Sequence, residues 1–575
     1  MNAQRCALPL LLVTFTALAV GYSVAIPLGE APDEVSHWSY VQYFTMHWHL
    51  PVLEGPVTGE AHQPPLYYLI GALISSWVPN QQFDVSANPD WDPGNPQIPN
   101  LLLHTRQEAF PYRGSALAWH LVRLVLVILG VITVWATYQL ALELFPENQW
   151  VALTAATFVA FLPQFTFLSA VVNNDNLVIT LSALSLLVLL HSARDPRPIT
   201  FCMLGILLGL AILAKTSAFT LWASSALVML LRRECLPIGK RLASIIFTFV
   251  VAVTVVSPWI IYNAVASGDP LGFARMLEGF ARPQAMTMSD WMIYGERMYW
   301  SFWGKFGGVT NIGMPLAVYG ALTLLLVIGL AGDLLLVKDW RANRLPVTAR
   351  QGMVTFGLFW VLLVASHLRL ESTMLGIDQA RQLFPALPAL SVLIAAGVLR
   401  LARKPAVPAL IVVCGMGLIG FTNASAVASA YAPTSQLASI TSPSSTSMDF
   451  GEQIRVLDFR IDTSRVAPGH AVVVELQWQA LTDLTENYWL LLQLGNSAGP
   501  VANQDGVPSG GRLTTDWWQK GQVFTSRHAL IVPDVAAPGT YTLRLGLHPY
   551  GKWEWLPIRG DEMLPLGKIE ITRAP

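Results

Sequence analysis

Five short stretches of the sequence carry side chains able to do chemistry, and each is flanked by long apolar runs. Asp33 and Glu34 form an acidic pair in Ala31-Pro32-Asp33-Glu34-Val35-Ser36-His37-Trp38. A carboxylate there can take the proton of a hydroxyl as a general base; it can equally complement the dipole of a helix starting at that point. His62 and Gln63 precede Pro64-Pro65-Leu66-Tyr67-Tyr68. The prolines suit the first turn of a helix and the tyrosines suit a membrane-interface belt, which leaves His62 and Gln63 unexplained. Asn173-Asn174-Asp175-Asn176 interrupts two apolar runs. Asn and Asp favour turns, but a polar tetrad at membrane depth is costly unless solvated or paired. Lys215 and Arg381 are cations at the ends of apolar runs. Each could anchor at the headgroups by snorkelling, and the planar guanidinium of Arg381 also offers two parallel donors to a phosphate. The constellation is two acidic sites, one His/Gln site and two cations.

Other chemistries lack their residues. The first long polar region holds His37, His47, His49, His62 and His104, but no HExxH or other compact ligand spacing occurs, so zinc is weakly supported. There is no P-loop and no GxGxxG in a Rossmann pattern. The four cysteines form no CxxC pair. Net charge is −1, from 35 Lys+Arg against 36 Asp+Glu, so no basic field draws nucleic acid.

The elements that position these residues are mostly membrane spans. Of 575 residues, 53% are hydrophobic and 12% charged, with a mean hydropathy of +0.48. Soluble domains carry about 25% charged residues, so a soluble globular or disordered chain is excluded. A span needs about 20 apolar residues. Such runs fall at 8–28, 115–144, 151–171, 177–191, 199–214, 217–231, 242–262, 314–332, 352–366, 383–399 and 407–425. Leu66–Val78 is short for a span, and charge decides its status. If it does not cross, fourteen Lys and Arg fall in the short loops on the side of residue 1, against nine in the much longer loops opposite. Residues 66–78 are therefore read as interfacial or re-entrant. The N-terminus is then cytoplasmic, in the plasma (inner) membrane, and Asp33, His62, Asp175, Lys215 and Arg381 share the extracytoplasmic face.

That face also receives residues 29–114, residues 263–313 and everything after about 426. Val35, Trp38, Val41, Phe44 and Trp48 fall near helical spacing, which predicts an amphipathic surface helix. Residues 430–449 read as a Ser/Thr/Pro-rich linker. Beyond it Val474, Leu476, Trp478 and Ala480 alternate with polar residues, as do Tyr541, Leu543, Leu545 and Leu547. This predicts a β-sandwich over 450–575, appended to a transmembrane domain over 1–429.

In this order the motifs resemble the GT-C glycosyltransferase superfamily, in particular the branch holding protein O-mannosyltransferases and the lipid A aminoarabinose transferase. The resemblance covers residues 8–400. It rests on the acidic pair after the first span, the Pro-Pro-aromatic element, the Asp after the third span, Gly209-Leu210-Ala211-Ile212-Leu213-Ala214-Lys215, and Phe384-Pro385-Ala386-Leu387-Pro388. It implies a polyprenyl-phosphate sugar donor, transfer to a hydroxyl of a glycan, lipid or protein outside the cytoplasm, and inversion at the sugar. It implies Asp33 as catalytic base, with Glu34 completing the pair and Asp175 lining the donor site. Lys215 and Arg381 fit cationic positions near the lipid phosphate. Where relatives carry a Glu-Lys-Pro-Pro-like element, His62-Gln63-Pro64-Pro65 stands here. A divalent cation near Asp33 and Asp175 is compatible with the pattern.

Within 263–313, Trp291, Tyr294, Tyr299, Trp300 and Trp303 either stack on sugar rings or anchor at the interface. Two other classes compete. A secondary transporter would place ionisable residues near the midplane, whereas these cluster at one face. A membrane-anchored carbohydrate-binding protein would use Trp517, Trp518, Trp553 and Trp555 as a platform, unless these are sandwich core.

Overall fold

The computed structural model describes residues 2–51, 59–79, 85–91, 100–231, 237–431, 447–509, 511, 513–552, 554–558 and 561–572. The chain divides into two compact units: Met1–Gln81 with Leu117–Ala428, and Gln82–Ala116 with Ser429–Pro575.

The helices in chain order are α1 (Asn2–Ala25), α2 (Glu34–His47), α3 (Leu66–Ser75), α4 (Gly114–Leu144), α5 (Gln149–Ala160), α6 (Pro163–Leu168), α7 (Asp175–Arg194), α8 (Pro198–Ala214), α9 (Phe219–Leu231), α10 (Ile238–Ser267), α11 (Phe273–Phe280), α12 (Met288–Trp303), α13 (Leu316–Arg341), α14 (Val347–Glu371), α15 (Leu387–Arg400) and α16 (Ala406–Tyr431). Among the described residues eight helices are long and apolar enough to cross a membrane: α1, α4, α7, α10, α13, α14, α16 and the stretch Ala380–Arg400 that contains α15. The chain is thus a polytopic helical membrane protein. Every run read as a span holds a helix, but α5, α8 and α9 have only 12, 17 and 13 residues. Helix α3, with 10 residues, rises about 15 Å, half a hydrocarbon core.

The run expected to continue from 151 to 171 is broken. Pro163 has no N–H to give to the preceding turn, and its ring pushes Leu162 out of the helical region to φ −67, ψ 114. A new short helix, α6, then starts with that proline in its first turn. Elsewhere the helices touch through glycine. A Cβ on Gly332 would lie 1.8 Å from the Gly397 carbonyl oxygen, so α13 and α15 meet backbone to backbone. Gly205 and Gly209 do the same for α8 against α10, where added Cβ atoms would stand 2.7 Å from Thr248 O and from Val255 Cβ. Lipid gives helices no hydrophobic reason to associate, so this close approach supplies the dispersion contact that holds them. Gly209 of the resemblance motif is therefore a packing residue.

In the second unit the strands after 447 are β1 (Met448–Phe450), β2 (Ile454–Ile461), β3 (Arg465–Val466), β4 (Ala471–Ala480), β5 (Tyr488–Asn496), β6 (Gly499–Gly506), β7 (Val523–Ile531), β8 (Gly539–Pro549) and β9 (Leu564–Ile571). They form a four-stranded sheet in the order β1-β2-β4-β7 and a five-stranded sheet in the order β3-β9-β8-β5-β6. Strand β4 alternates buried and partly exposed residues along most of its length, the period of a half-buried strand. Val474, Leu476, Trp478, Leu543, Leu545 and Leu547 all enter one apolar core.

The domain boundary differs from the sequence expectation. Residues 85–91 and 100–116 belong with the β unit and not with the helical one. The His104 carbonyl accepts from Thr514 Oγ1 at 2.8 Å and Trp517 Nε1 at 3.1 Å. The Arg106 N–H donates to Asp516 Oδ2 at 2.7 Å. Asn88 Nδ2 donates to Gly511 O at 3.0 Å, and Asp90 Oδ2 accepts from Val507 N at 2.8 Å. These partners lie more than 400 residues away in sequence, where no local pattern reports them. The tryptophans considered as a sugar platform are also engaged. Trp518 is fully buried and stacks on Phe524 at 4.3 Å, Trp517 is bonded to His104, and Trp555 packs edge-on to His548. Trp553 lies outside the described residues.

Candidate functional site

Asp33 sits just before α2 with φ 61, ψ 5, the left-handed region. Asp tolerates that region better than most residues, but it remains uncommon for any side chain with a Cβ. The Asp33 carbonyl accepts from His37 N at 2.9 Å and so starts the helix. Its carboxylate makes no cap bond to α2. It points instead to Arg381, whose Nη2 donates to Asp33 Oδ2. Dipole complementation therefore does not account for where this side chain goes.

Arg381 lies on a 3-10 helix, Ala380–Ala386, that precedes α15. Pro385 and Pro388 keep that stretch from forming regular α-helix. The tighter turn leaves Arg381 inside the bundle, with its side chain only 6% exposed. Its Nη1 lies 3.4 Å from Asp175 Oδ2, and its Nε is sealed from solvent without an acceptor among the described residues. Asp175 opens α7, where the helix dipole favours a carboxylate. Its Oδ1 accepts from Lys215 Nζ at 2.5 Å. Lys215 caps the C-terminus of α8 in an extended conformation, φ −159, ψ 136, which turns the amine towards α7. Asp33, Arg381, Asp175 and Lys215 thus form one alternating chain of charges. It joins four stretches separated by up to 348 residues.

The asparagines around Asp175 are only partly satisfied, since Asn174 Oδ1 and Asn176 Oδ1 are buried without a partner among the described residues. Asn173 Oδ1 accepts from Asn176 N at 3.1 Å, and Asn173 Nδ2 reaches the carbonyls of Leu168 and Val171. Asn174 Nδ2 donates to Gln63 Oε1 at 3.2 Å, which brings Gln63 to the edge of the site. His62 instead closes its own turn, with Nδ1 2.8 Å from Gly59 O.

Glu34 goes elsewhere. It is completely buried, and its two oxygens accept from Trp119 Nε1, Arg123 Nε and Nη2, Val172 N and Gly29 N, all at 2.8–3.1 Å. Arg123, also fully buried, spends its other donors on the carbonyls of Ser23, Ile26 and Pro27. The pair ties the end of α1 and the start of α2 to α4 and to the approach to α7. The sequence expected Glu34 at the substrate; its contacts are architectural, and they fix the backbone from which Asp33 projects.

Two acidic-site neighbours were missed by sequence reasoning. His37 is buried, with Nδ1 2.9 Å from Tyr68 Oη. Glu60 approaches that same nitrogen at 4.0 Å. The α-helical spacing from Asp33 to His37, one turn, was the available signal for the histidine. Burial pushes the Asp33 carboxyl up, but Arg381, His37 and Lys215 together outweigh it and hold Asp33 below the ordinary carboxylate range. Burial holds His37 below its ordinary value despite Glu60 and Asp33 beside it. Both aspartates accept from Arg381, and Asp175 also from Lys215. Among the described residues no group of three or more His, Cys, Asp or Glu is arranged around one point.

The aromatic residues of 263–313 mostly pack on neighbouring helices of the bundle. Trp303 is buried, Trp300 meets Tyr319 edge-on at 4.6 Å, and Tyr299 Oη reaches Thr323 Oγ1 at 2.8 Å. Tyr294 lies 5.9 Å from His367. Helix α12 also braces the arginine segment, since Ser301 Oγ accepts from Ala380 N at 3.0 Å and Arg297 pairs with Asp378.

Fold and site together define a polytopic membrane protein with a charged cluster gathered at helix ends. Residues 118–262 match the family model of dolichyl-phosphate-mannose-protein mannosyltransferases, the same GT-C branch that the motifs resemble. Asp175 and Lys215 fall inside the matched stretch. Among solved structures, ArnT from Cupriavidus metallidurans bound to undecaprenyl phosphate is similar at 15% identity and a TM-score of 0.41, over 72% of this chain and 63% of that one. Its apo state gives 14% and 0.42, over 75% and 65%. The arabinofuranosyltransferase AftD from Mycobacteria gives 13% and 0.41, over 72% and 27%. The chain thus spans less than two thirds of the length of each of these structures. No curated protein matches the sequence.

Proposed function

We propose that this protein is a membrane glycosyltransferase that moves a sugar from a polyprenyl-phosphate donor to an acceptor hydroxyl, with inversion. The observation that carries the reading is the bridge made by Arg381 between Asp33 and Asp175, with Lys215 on the far side of Asp175. It brings a half-exposed carboxylate to the edge of a sealed pair of cations. The mannosyltransferase-family match over two of these residues supports it.

In this reading Asp33 accepts the proton of the acceptor hydroxyl as the oxygen attacks the anomeric carbon. The bond from that carbon to the phosphate oxygen breaks, and its electron pair stays on the phosphate. The leaving group departs as an anion, so it needs fixed positive charge and no general acid. Lys215 and Arg381 supply that charge from positions already set by the fold. Arg381 exchanges part of its hold on the aspartates for the phosphate, which frees the Asp33 carboxylate for the acceptor. No step is routed through a metal. The charge distribution of the loops supports an N-terminus in the cytoplasm and a site on the extracytoplasmic face.

The test is transfer by the purified protein from a panel of polyprenyl-phosphate sugars. Donor-dependent labelling of an acceptor by the wild type, and its loss in Asp33→Asn with lipid-phosphate binding retained, is the expected result. Wild-type turnover by Asp33→Asn removes Asp33 from the mechanism, and absence of transfer from every donor removes the reading.

A further inference from the structure

The four residues of the charge chain balance one another, two carboxylates against two cations. Glu60 stands beside them as a third carboxylate without a Lys or Arg partner among the described residues. Its side chain is 14% exposed, and its Oε2 is sealed from solvent with no hydrogen-bond donor among the described residues. The nearest candidate, His37 Nδ1, is 4.0 Å away and already bonded to Tyr68 Oη at 2.9 Å. Glu60 nevertheless lies close enough to His37, Tyr68 and Arg381 to act on each electrostatically.

Its placement is built. Glu60 opens a single 3-10 turn, Glu60–His62, whose preceding residue Gly59 has φ 82. A Cβ there would be strained by that φ and would also sit 3.2 Å from Ser36 Oγ of α2. His62 Nδ1 on the Gly59 carbonyl and Gln63 N on the Glu60 carbonyl at 2.9 Å close the turn. A buried carboxylate oxygen left without a donor destabilises a fold. A turn that holds one in place next to a reactive cluster is shaped for a donor that arrives from outside.

We propose that Glu60 is a specificity-determining residue that accepts hydrogen bonds from hydroxyl groups of the donor sugar. The inference rests on the transferase reading above. A carboxylate only accepts, so it cannot contact the donor's phosphate, which belongs to Lys215 and Arg381. The part of a lipid-linked sugar next to its phosphate is a ring bearing O–H donors, which a carboxylate accepts. The acceptor substrate has a different approach, past the more open Asp33, whose side chain is 49% exposed.

The experiment compares Glu60→Gln with wild type for binding of two probes, a sugar-free polyprenyl phosphate and a polyprenyl-phosphate hexose. Expected is a loss of about 10- to 100-fold for the sugar-bearing probe with unchanged affinity for the sugar-free one. Equal binding of the sugar-bearing probe by both proteins overturns the assignment. So does an equal loss for both probes, which would make Glu60 a support of the phosphate site. Glu60→Gln removes an unpartnered charge and is expected to melt at or above the wild-type temperature. Glu60→Asp, which keeps the charge but withdraws it by one methylene, is expected to lose affinity for the sugar-bearing probe alone. Wild-type protein that binds neither probe defeats the transferase reading itself, a result distinct from any that concerns Glu60 alone.

Discussion

Glu34 separates an architectural role from a substrate-binding one by experiment. Replacing it by Ala leaves the fully buried Arg123 guanidinium without its counter-charge, holding only the carbonyls of Ser23, Ile26 and Pro27. It also orphans Trp119 Nε1, Val172 N and Gly29 N. Removing one partner of a buried ion pair costs about 3–5 kcal/mol, and three unsatisfied donors keep the loss at the upper end of that range. Glu34→Gln is milder, but its amide N–H groups face donors and not acceptors. Thermal unfolding in a fixed detergent or nanodisc is the assay, read together with lipid-phosphate binding below the transition. Both single variants should unfold well before wild type, and Glu34→Leu with Arg123→Met should recover much of the loss, because an apolar pair leaves no charge buried. A Glu34→Ala protein that melts as wild type does but no longer binds the donor would refute this reasoning and return Glu34 to the substrate.

Four further outcomes are expected. Asp33→Asn lowers kcat by about 10²–10⁴-fold, the usual share of a general base, measured by transfer from a competent donor. Arg381→Ala weakens lipid-phosphate binding by about 10- to 100-fold, as for a lost charged hydrogen bond; unchanged affinity would make it an internal brace only. The pH profile follows from Asp33 being held below the ordinary carboxylate range, chiefly by Arg381 against the opposing effect of burial. Its stabilising contribution is complete above the unfolded-state pKa and is lost as pH falls through the lower folded value, so the acid limb of kcat/KM should lie below the usual carboxylate range and move upward in Arg381→Ala. Gly332→Leu, forced against the Gly397 carbonyl, should lower the unfolding temperature, whereas the same change at Gly320, with open space around it, should not.

Much of the helical unit was legible because lipid imposes a length and a composition on every span. Each run longer than about 15 apolar residues marks a helix, and the short apolar run at 66 is indeed a ten-residue helix. The break at Pro163 was visible in the residue itself but was hidden by the unbroken apolar run around it. Asp33, Asp175, Lys215 and Arg381 could be found singly, since each is a charge where hydrophobicity should prevail. Their pairing could not, because ion pairs across hundreds of residues leave no periodicity. Glu34 and Arg123 show the limit from the other side: a buried pair that holds a site reads, in sequence, like the site. Glu60 was passed over since an acidic residue in a polar loop is unremarkable until its neighbours show that, among the described residues, its Oε2 accepts no hydrogen bond.

The β unit draws on two stretches made far apart in time. Residues 85–91 and 100–116 leave the ribosome before most of the spans exist, while Thr514, Asp516 and Val507, to which they bond, follow the helix Ala406–Tyr431. The early stretch must therefore wait, unpaired, through the insertion of nearly every later helix. The β unit is therefore completed only after those helices have been made.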